Sequence, residues 1–168
     1  MVKDVLVQET WRTEVVPVQG SQAAELLWEY LDEMVSRYHG RAATDAEIRH
    51  EVEETSSESL EPPRGALLVA SFQGQLAGCV GVRLIDDDVA EMKRVYLRER
   101  LRGRGGGAVL AEAAERIART WGARVMRLDT RSDLIEARAL YVRLGYEEIP
   151  AYSRSPYAEH WFEKSLVA

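Results

Sequence analysis

The run Arg102-Gly103-Arg104-Gly105-Gly106-Gly107 carries the clearest chemistry in this sequence. Glycine permits positive φ and lets a ligand approach the main chain closely, and the first amides of a following helix have no internal acceptors. Added to the helix dipole, such amides make an anion cradle suited to a phosphate or diphosphate. Arg102 and Arg104 bring further positive charge to it. A flexible connector between a strand and an amphipathic helix needs only one or two of these glycines. Polar chemistry also stands just upstream, in Val89 to Leu97. Strict alternation there points Glu91, Lys93 and Val95 to one face and Met92, Arg94 and Tyr96 to the other. Charge on both faces of a strand that should be central is a local inconsistency of the kind that marks functional sites.

Three phosphate-binding readings compete for the glycine run. A nucleotide triphosphatase loop ends in Gly-Lys-Ser/Thr, whereas Gly107 is followed by Ala108 and Val109, so that reading fails. A dinucleotide fold finds permissive spacing in Gly103, Gly105 and Ala108, and a ribose-binding acid in Asp129. Only about forty residues follow Asp129, however, which leaves little chain for a second mononucleotide-binding half. The third reading is taken up below.

The elements that must hold these residues follow from periodicity. Ser21 is placed to cap a helix whose Ala24, Leu27, Leu31, Met34, Val35 and Tyr38 recur at three- and four-residue steps, ending near Gly40. A more polar helix is expected from Thr44 or Asp45 to about Glu54, with Ile48 and Val52 on its buried side. Gly65 to Phe72 and Leu76 to Ile85 read as a hairpin across Gln73-Gly74-Gln75, followed by the strand Val89 to Leu97. From Gly107 a stripe of Val109, Leu110, Ala113, Ala114, Ile117 and Ala118 predicts a helix that stops near Gly122. Arg124 to Thr130 reads as a strand, and Asp133 with Glu136 has capping-box spacing for a helix running to Gly145. Short strands at Tyr146 to Ile149 and His160 to Lys164 complete an α/β order with a mixed sheet.

Composition narrows the partners. A chain of 168 residues is one domain's worth, read here as a single domain over 1–168. With 22 Lys and Arg against 28 Asp and Glu, the net charge of -6 disfavours nucleic acid. The apolar stretches fall far short of a membrane span, and the N-terminal stretch carries Lys3, Asp4 and Glu9 in place of an apolar core. A cytoplasmic address is expected, without a membrane partner. The single cysteine, Cys79, has no partner for a disulfide and no second thiol for zinc. It lies in an apolar strand with no adjacent histidine, so it reads as a core thiol and not an acyl-carrying nucleophile. His39, His50 and His160 share no metal-binding spacing, and no metal is expected.

Taken together, the motifs resemble the GNAT superfamily of acyl-CoA-dependent N-acetyltransferases. Its signature is Arg or Gln, two variable residues, Gly, one variable residue, then Gly or Ala. Arg102, Gly105 and Gly107 match it, and Gly103 fills a frequently used position. Residues 91 to 97, Glu-Met-Lys-Arg-Val-Tyr-Leu, look like the family's fourth strand. Leu128 to Thr130 lead to Ala137, Leu140-Tyr141 and Leu144-Gly145-Tyr146, similar to the family's Ala-x-x-Leu-Tyr-x-x-x-Gly-Phe pattern. The resemblance covers residues 65 to 168, with Gly106 where a bulky aliphatic residue is common and Glu99 where proline is usual.

The resemblance implies a mixed, mostly antiparallel central sheet flanked by helices, with splayed central strands. It implies transfer of an acetyl group from acetyl-CoA, as cosubstrate, to a primary amine by direct attack. Main-chain groups of Val95 and Leu97 would hold the pantetheine arm, and Arg102, Gly103, Arg104, Gly105, Gly106, Gly107 and Ala108 the diphosphate. Glu91 stands where several members carry the carboxylate that takes the amine's proton, and Tyr141 matches the tyrosine that protonates the departing thiolate. Glu91 also reads simply as an ion-pair partner for an Arg or Lys on an adjacent strand, and Tyr141 as a core aromatic. By location, Tyr38, His39, Tyr152, Tyr157 and the triplet Asp86 to Asp88 are candidates to line the acceptor pocket, and His160 joins them from the last strand. Acidic and aromatic residues suit a small cationic amine. A non-catalytic CoA-binding regulatory module, or a modifier of protein or aminoacyl-tRNA amines, is the alternative. Monomer and homodimer both stand.

Overall fold

The computed structural model describes residues 10–168, so the reading made of the stretch before Thr10 lies outside the described residues. Eleven α-helices and β-strands occur among the described residues, and from Ser21 onward they follow the expected order. They are β1 (Trp11–Val16), α1 (Ser21–His39), α2 (Asp45–Glu54), β2 (Gly65–Phe72), β3 (Gln75–Leu84) and β4 (Val89–Leu97), then α3 (Gly106–Thr120), β5 (Val125–Thr130), α4 (Ile135–Arg143), β6 (Glu147–Ile149) and β7 (His160–Ser165). One seven-stranded sheet runs β1-β2-β3-β4-β5-β7-β6. Every pairing is antiparallel except β4 with β5, which α3 joins as a crossover.

Each sheet face has its own core. Ala66, Leu68, Val80, Val82, Ala90, Met92, Met126, Leu128 and Phe162 pack beneath α3 and α4 with Leu110, Ala114 and Tyr141. On the other face Leu67, Val69 and Cys79 meet Ala23 and Leu26 of α1. Cys79 is fully buried, and that burial pushes its thiol up to about 12, in keeping with a core thiol.

The exceptions to the sequence reading have local causes. Gly20, not Ser21, caps α1, without a side-chain bond, and the buried stripe begins Ala23, Leu26 where Ala24 was expected. Tyr38 is 60% exposed. Thr44 forms a full capping box with Glu47 on α2, where Ile48 is buried but Val52 is exposed. Asp133 does not cap α4; Leu134 holds that position, and Asp133 pairs with Arg131. Within α3, Glu115 is buried, accepting hydrogen bonds from Tyr146 Oη at 3.0 Å and Lys164 Nζ at 2.8 Å. Among the described residues no helix is long and apolar enough to cross a membrane.

Candidate functional site

An irregularity in β4 decides which side chains share the site. Cys79 pairs with Tyr96 while Gly81 pairs with Lys93, so β4 spends three residues where β3 spends two. Arg94 occupies this bulge with φ +54. The bulge resets the alternation that the sequence implied. Met92, Val95 and Leu97 all face the α3 core, whereas Tyr96 shares the α1 face with Glu91 and Lys93. Arg94 also turns to the α1 side, where its Nη2 donates to the Ser56 carbonyl at 3.2 Å.

Beyond Glu91 the central strands part. The β4–β5 ladder comprises Val89↔Val125, Ala90↔Met126 and Glu91↔Arg127. From Met92 to Leu97 the β5-facing edge of β4 has no ladder partner, while β5 continues against β7 to Thr130. The splay expected from the resemblance is therefore present, and it opens toward the C-terminal ends of both strands.

The glycine turn sits at that open end. Gly103 and Gly105 take φ of +77 and +85, with nothing within 4 Å of where a side chain would begin. Gly105 is the N-cap of α3, no side chain caps the helix, and the first helical bond runs from Val109 N–H to the Gly105 carbonyl at 3.2 Å. The amides of Gly106, Gly107 and Ala108 precede that bond and are the orphan donors of a helix N-terminus.

Gly106 and Gly107 are small for packing reasons. A Cβ on Gly106 would lie 2.4 Å from the Trp11 ring, and one on Gly107 2.6 Å from Leu140 on α4. Trp11 thus fills the space that a bulky residue at 106 would take, and its Nε1 donates to the Arg104 carbonyl at 3.0 Å. The turn is braced by β1 on one side and by the helix bearing Tyr141 on the other.

The arginines around the turn are largely committed to protein partners. Arg102 Nε donates to the Leu97 carbonyl and its Nη2 to Glu33, both at 2.9 Å. Arg98 pairs with Glu25 and Glu29 of α1. Arg104 stacks 5.4 Å from the Phe72 ring centre.

Glu91 is 4% exposed. Its Oε1 receives Arg83 Nε at 2.9 Å and Nη2 at 2.8 Å, and Lys93 Nζ stands 3.9 Å away. Its Oε2 receives the hydroxyl of Tyr152 at 2.8 Å. The ion pair across β3 and β4 considered for Glu91 is thus present, together with a tyrosine from the β6–β7 loop. Burial and the cation of Arg83 lower the pKa of Lys93. Burial and the charge of Glu91 raise that of Asp129, which makes neither a hydrogen bond nor an ion pair among the described residues.

Tyr141 is buried in the α3-side core, its ring 5.8 Å from that of Tyr146 and 6.3 Å from that of Phe162. Burial, then the nearby Tyr30 and Asp129, raise its pKa and keep the phenol protonated. Of the acceptor candidates, Tyr38 meets His39 at 5.3 Å and Tyr157 at 5.4 Å between ring centres. His39 also binds Glu47 at 2.8 Å, tying α1 to α2. His160 lies apart from them, held by Glu148 and by Ser132 on the α4 side of the sheet. Asp86 to Asp88 form an exposed turn at the far end of β4 from the glycine turn. Sequence reasoning did not single out Arg83 or Arg127, and reached Tyr152 only by location. The bulge and the register that bring them to Glu91 leave no mark in local periodicity.

A model of the acetyltransferase (GNAT) family matches residues 22–146. An uncharacterized N-acetyltransferase of Escherichia coli strain K12 is 33% identical over 90 residues, covering 52% of this chain and 54% of that protein. Another, from Schizosaccharomyces pombe, is 34% identical over 97 residues, covering 56% of this chain and 60% of the relative. This chain therefore spans little more than half the length of these curated relatives. Among solved structures, a Klebsiella pneumoniae protein named for acyl-CoA N-acyltransferase activity is 25% identical with a TM-score of 0.70, over 94% of this chain and 98% of that one. The PaiA N-acetyltransferase of Thermoplasma acidophilum, solved with coenzyme A, has a TM-score of 0.71 at 18% identity, over 93% and 99% of the two chains. At 18% that likeness is one of fold. The family match runs through the splayed strands, the glycine turn and Tyr141, and on it this chain belongs to the acetyltransferase (GNAT) family.

Proposed function

We propose that this protein transfers the acetyl group of acetyl-CoA to the primary amine of a small molecule by direct attack, residues 1–168 working as one domain. The observation that carries this reading is the union of an uncapped helix N-terminus with a parted strand edge. The amides of Gly106, Gly107 and Ala108 open at the end of the β4 edge that lacks a ladder partner from Met92 to Leu97. The first group suits a diphosphate, and the second suits an arm that hydrogen-bonds like a strand. Gly103 and Gly105 shape the turn, Arg102 and Arg104 add charge around it, and Val95 and Leu97 lie on the parted edge.

In this reading Tyr141, kept protonated by burial, gives its proton to the thiolate as the carbon–sulfur bond breaks. Glu91 takes the proton that the ammonium must lose before it attacks. Tyr38, His39 and Tyr157 border the acceptor's entry, while His160, held by Glu148 and Ser132, stands apart from them. The acidic balance of the chain and its exposed aromatic pair favour a small cationic acceptor over a nucleic acid. A lone buried thiol suits the reducing cytoplasm.

The deciding experiment is acetyl-CoA-dependent thiol release across a panel of amines: diamines and polyamines, aminoglycosides, amino acids and lysine peptides. Turnover of a small amine supports the reading. Binding of acetyl-CoA with no turnover would identify a regulatory CoA-binding module, and preference for lysine peptides a protein modifier.

A further inference from the structure

We propose that Tyr152 is the relay through which the acceptor amine hands its proton to Glu91. The inference rests on the transferase reading above and assigns the route by which its base is reached.

Glu91 is enclosed, and both carboxylate oxygens already hold donors. Oε1 faces the Arg83 guanidinium, and Oε2 accepts the Tyr152 hydroxyl at 2.8 Å. Oε2 keeps a lone pair beyond the one Tyr152 uses, but at 4% exposure the carboxylate is closed to an arriving ammonium. The Tyr152 oxygen is differently placed. Its one proton is directed at Glu91, so its lone pairs are left to accept from another donor. The side chain is half-buried and so reaches from solvent to the enclosed carboxylate.

The surrounding residues hold it there. The Arg127 guanidinium lies 5.4 Å from the Tyr152 ring centre. The next residue, Ser153, accepts from Trp161 Nε1 at 2.9 Å. Further along the same loop, Tyr157 packs on Tyr38 at the entry assigned to the acceptor. Burial and the adjoining carboxylate raise the Tyr152 pKa, so a phenolate does not form on its own. A coupled exchange avoids one.

In that exchange the ammonium proton moves to the Tyr152 oxygen as the hydroxyl proton moves to Glu91 Oε2. Tyr152 stays neutral, Glu91 becomes a carboxylic acid and the amine becomes a neutral nucleophile. When the amine attacks and the thiolate leaves, Tyr141 protonates sulfur and recovers its proton from the new amide nitrogen. Glu91 then returns its proton to solvent. The groups that bear on this titration are Arg83 from β3, Lys93 from β4, Arg127 and Asp129 from β5, and Glu163 of β7, which pairs with Arg127 at 2.8 Å.

The test is the pH dependence of kcat/KM, by thiol release with the best amine of the panel, for wild type, Tyr152→Phe, Glu91→Gln, the double variant and Asp129→Asn. Each of the first two variants is expected to lose about 10²-fold near neutral pH and to regain rate as alkali deprotonates the free amine, and Tyr152→Phe, which keeps the Glu91–Arg83 pair, is expected to melt close to wild type. The double variant is expected to fall no further than the worse single, because both remove one path. An unchanged profile for Tyr152→Phe overturns the relay. Losses that multiply in the double variant also overturn it, since Glu91 would then act without the tyrosine. Loss of the acidic limb in Asp129→Asn alone makes Asp129 the base and overturns it too. In all three cases wild-type turnover survives, and with it the transferase reading. A wild type that turns over no amine overturns both.

Discussion

Tyr152 and Glu91, 61 positions apart in sequence, meet through a 2.8 Å hydrogen bond that joins the β6–β7 loop to the middle of the sheet. The loop is thus fastened to β4 at the last residue of its ladder with β5, where the two strands begin to part. Arg83 completes the arrangement from the opposite side of the carboxylate. Arg83→Met would leave a 4%-exposed carboxylate with Tyr152 and a distant Lys93 as its donors. The expected loss is on the order of 2 kcal/mol, below the cost of breaking a fully buried pair because the arginine is partly solvated. Urea unfolding measures it, and an unchanged midpoint would mean that Glu91 does not depend on Arg83.

The turn is shaped by what surrounds it as much as by its own glycines. In Gly106→Val, the new Cβ would start 2.4 Å from the Trp11 ring, which is itself hydrogen-bonded to Arg104. Overpacking of this kind costs about 1–3 kcal/mol. Acetyl-CoA affinity should fall at least tenfold by calorimetry together with a lower Tm. Retained affinity would show that the first turn of α3 does not form the cradle.

Tyr141→Phe keeps the ring contacts with Tyr146 and Phe162 and removes only the phenolic hydroxyl. We expect kcat to fall by about 10²-fold while acetyl-CoA binds as before. Equal turnover by the variant would leave the residue a packing role alone.

Much of this was legible in the sequence because it is local. The glycine run, the strand before it and the helix after it follow from composition and period, and Gly65–Phe72 and Val89–Leu97 are strands over the expected limits. What alternation could not supply was the bulge at Arg94. One extra residue turns Tyr96 to the face of Glu91, where simple counting put it opposite. Nor could it supply Trp11, whose contact with Gly106 spans most of the fold. Capping misled at Asp133 because Arg131, two residues earlier, competes for its carboxylate.

Asp129 sets a pH dependence of stability. Burial and the neighbouring Glu91 raise its pKa above 3.8, so the folded state holds this proton more tightly than the unfolded chain does. Its contribution is complete below pH 3.8 and is lost as the pH rises through the folded value. Asp129→Asn cannot ionise and escapes that loss. The variant should resist urea better than wild type at pH 7, and the advantage should shrink as the pH is lowered through the raised folded value and be gone below 3.8. An advantage independent of pH would remove the electrostatic cause.

The most direct measurement is an amide nuclear magnetic resonance titration of the protein with acetyl-CoA. The N–H signals of Gly105, Gly106, Gly107 and Ala108 should shift together and saturate at one ligand per chain, as orphan donors at a helix N-terminus gain a diphosphate. Saturable binding that leaves these four signals unmoved while others shift would contradict the assignment of the turn as the cofactor cradle.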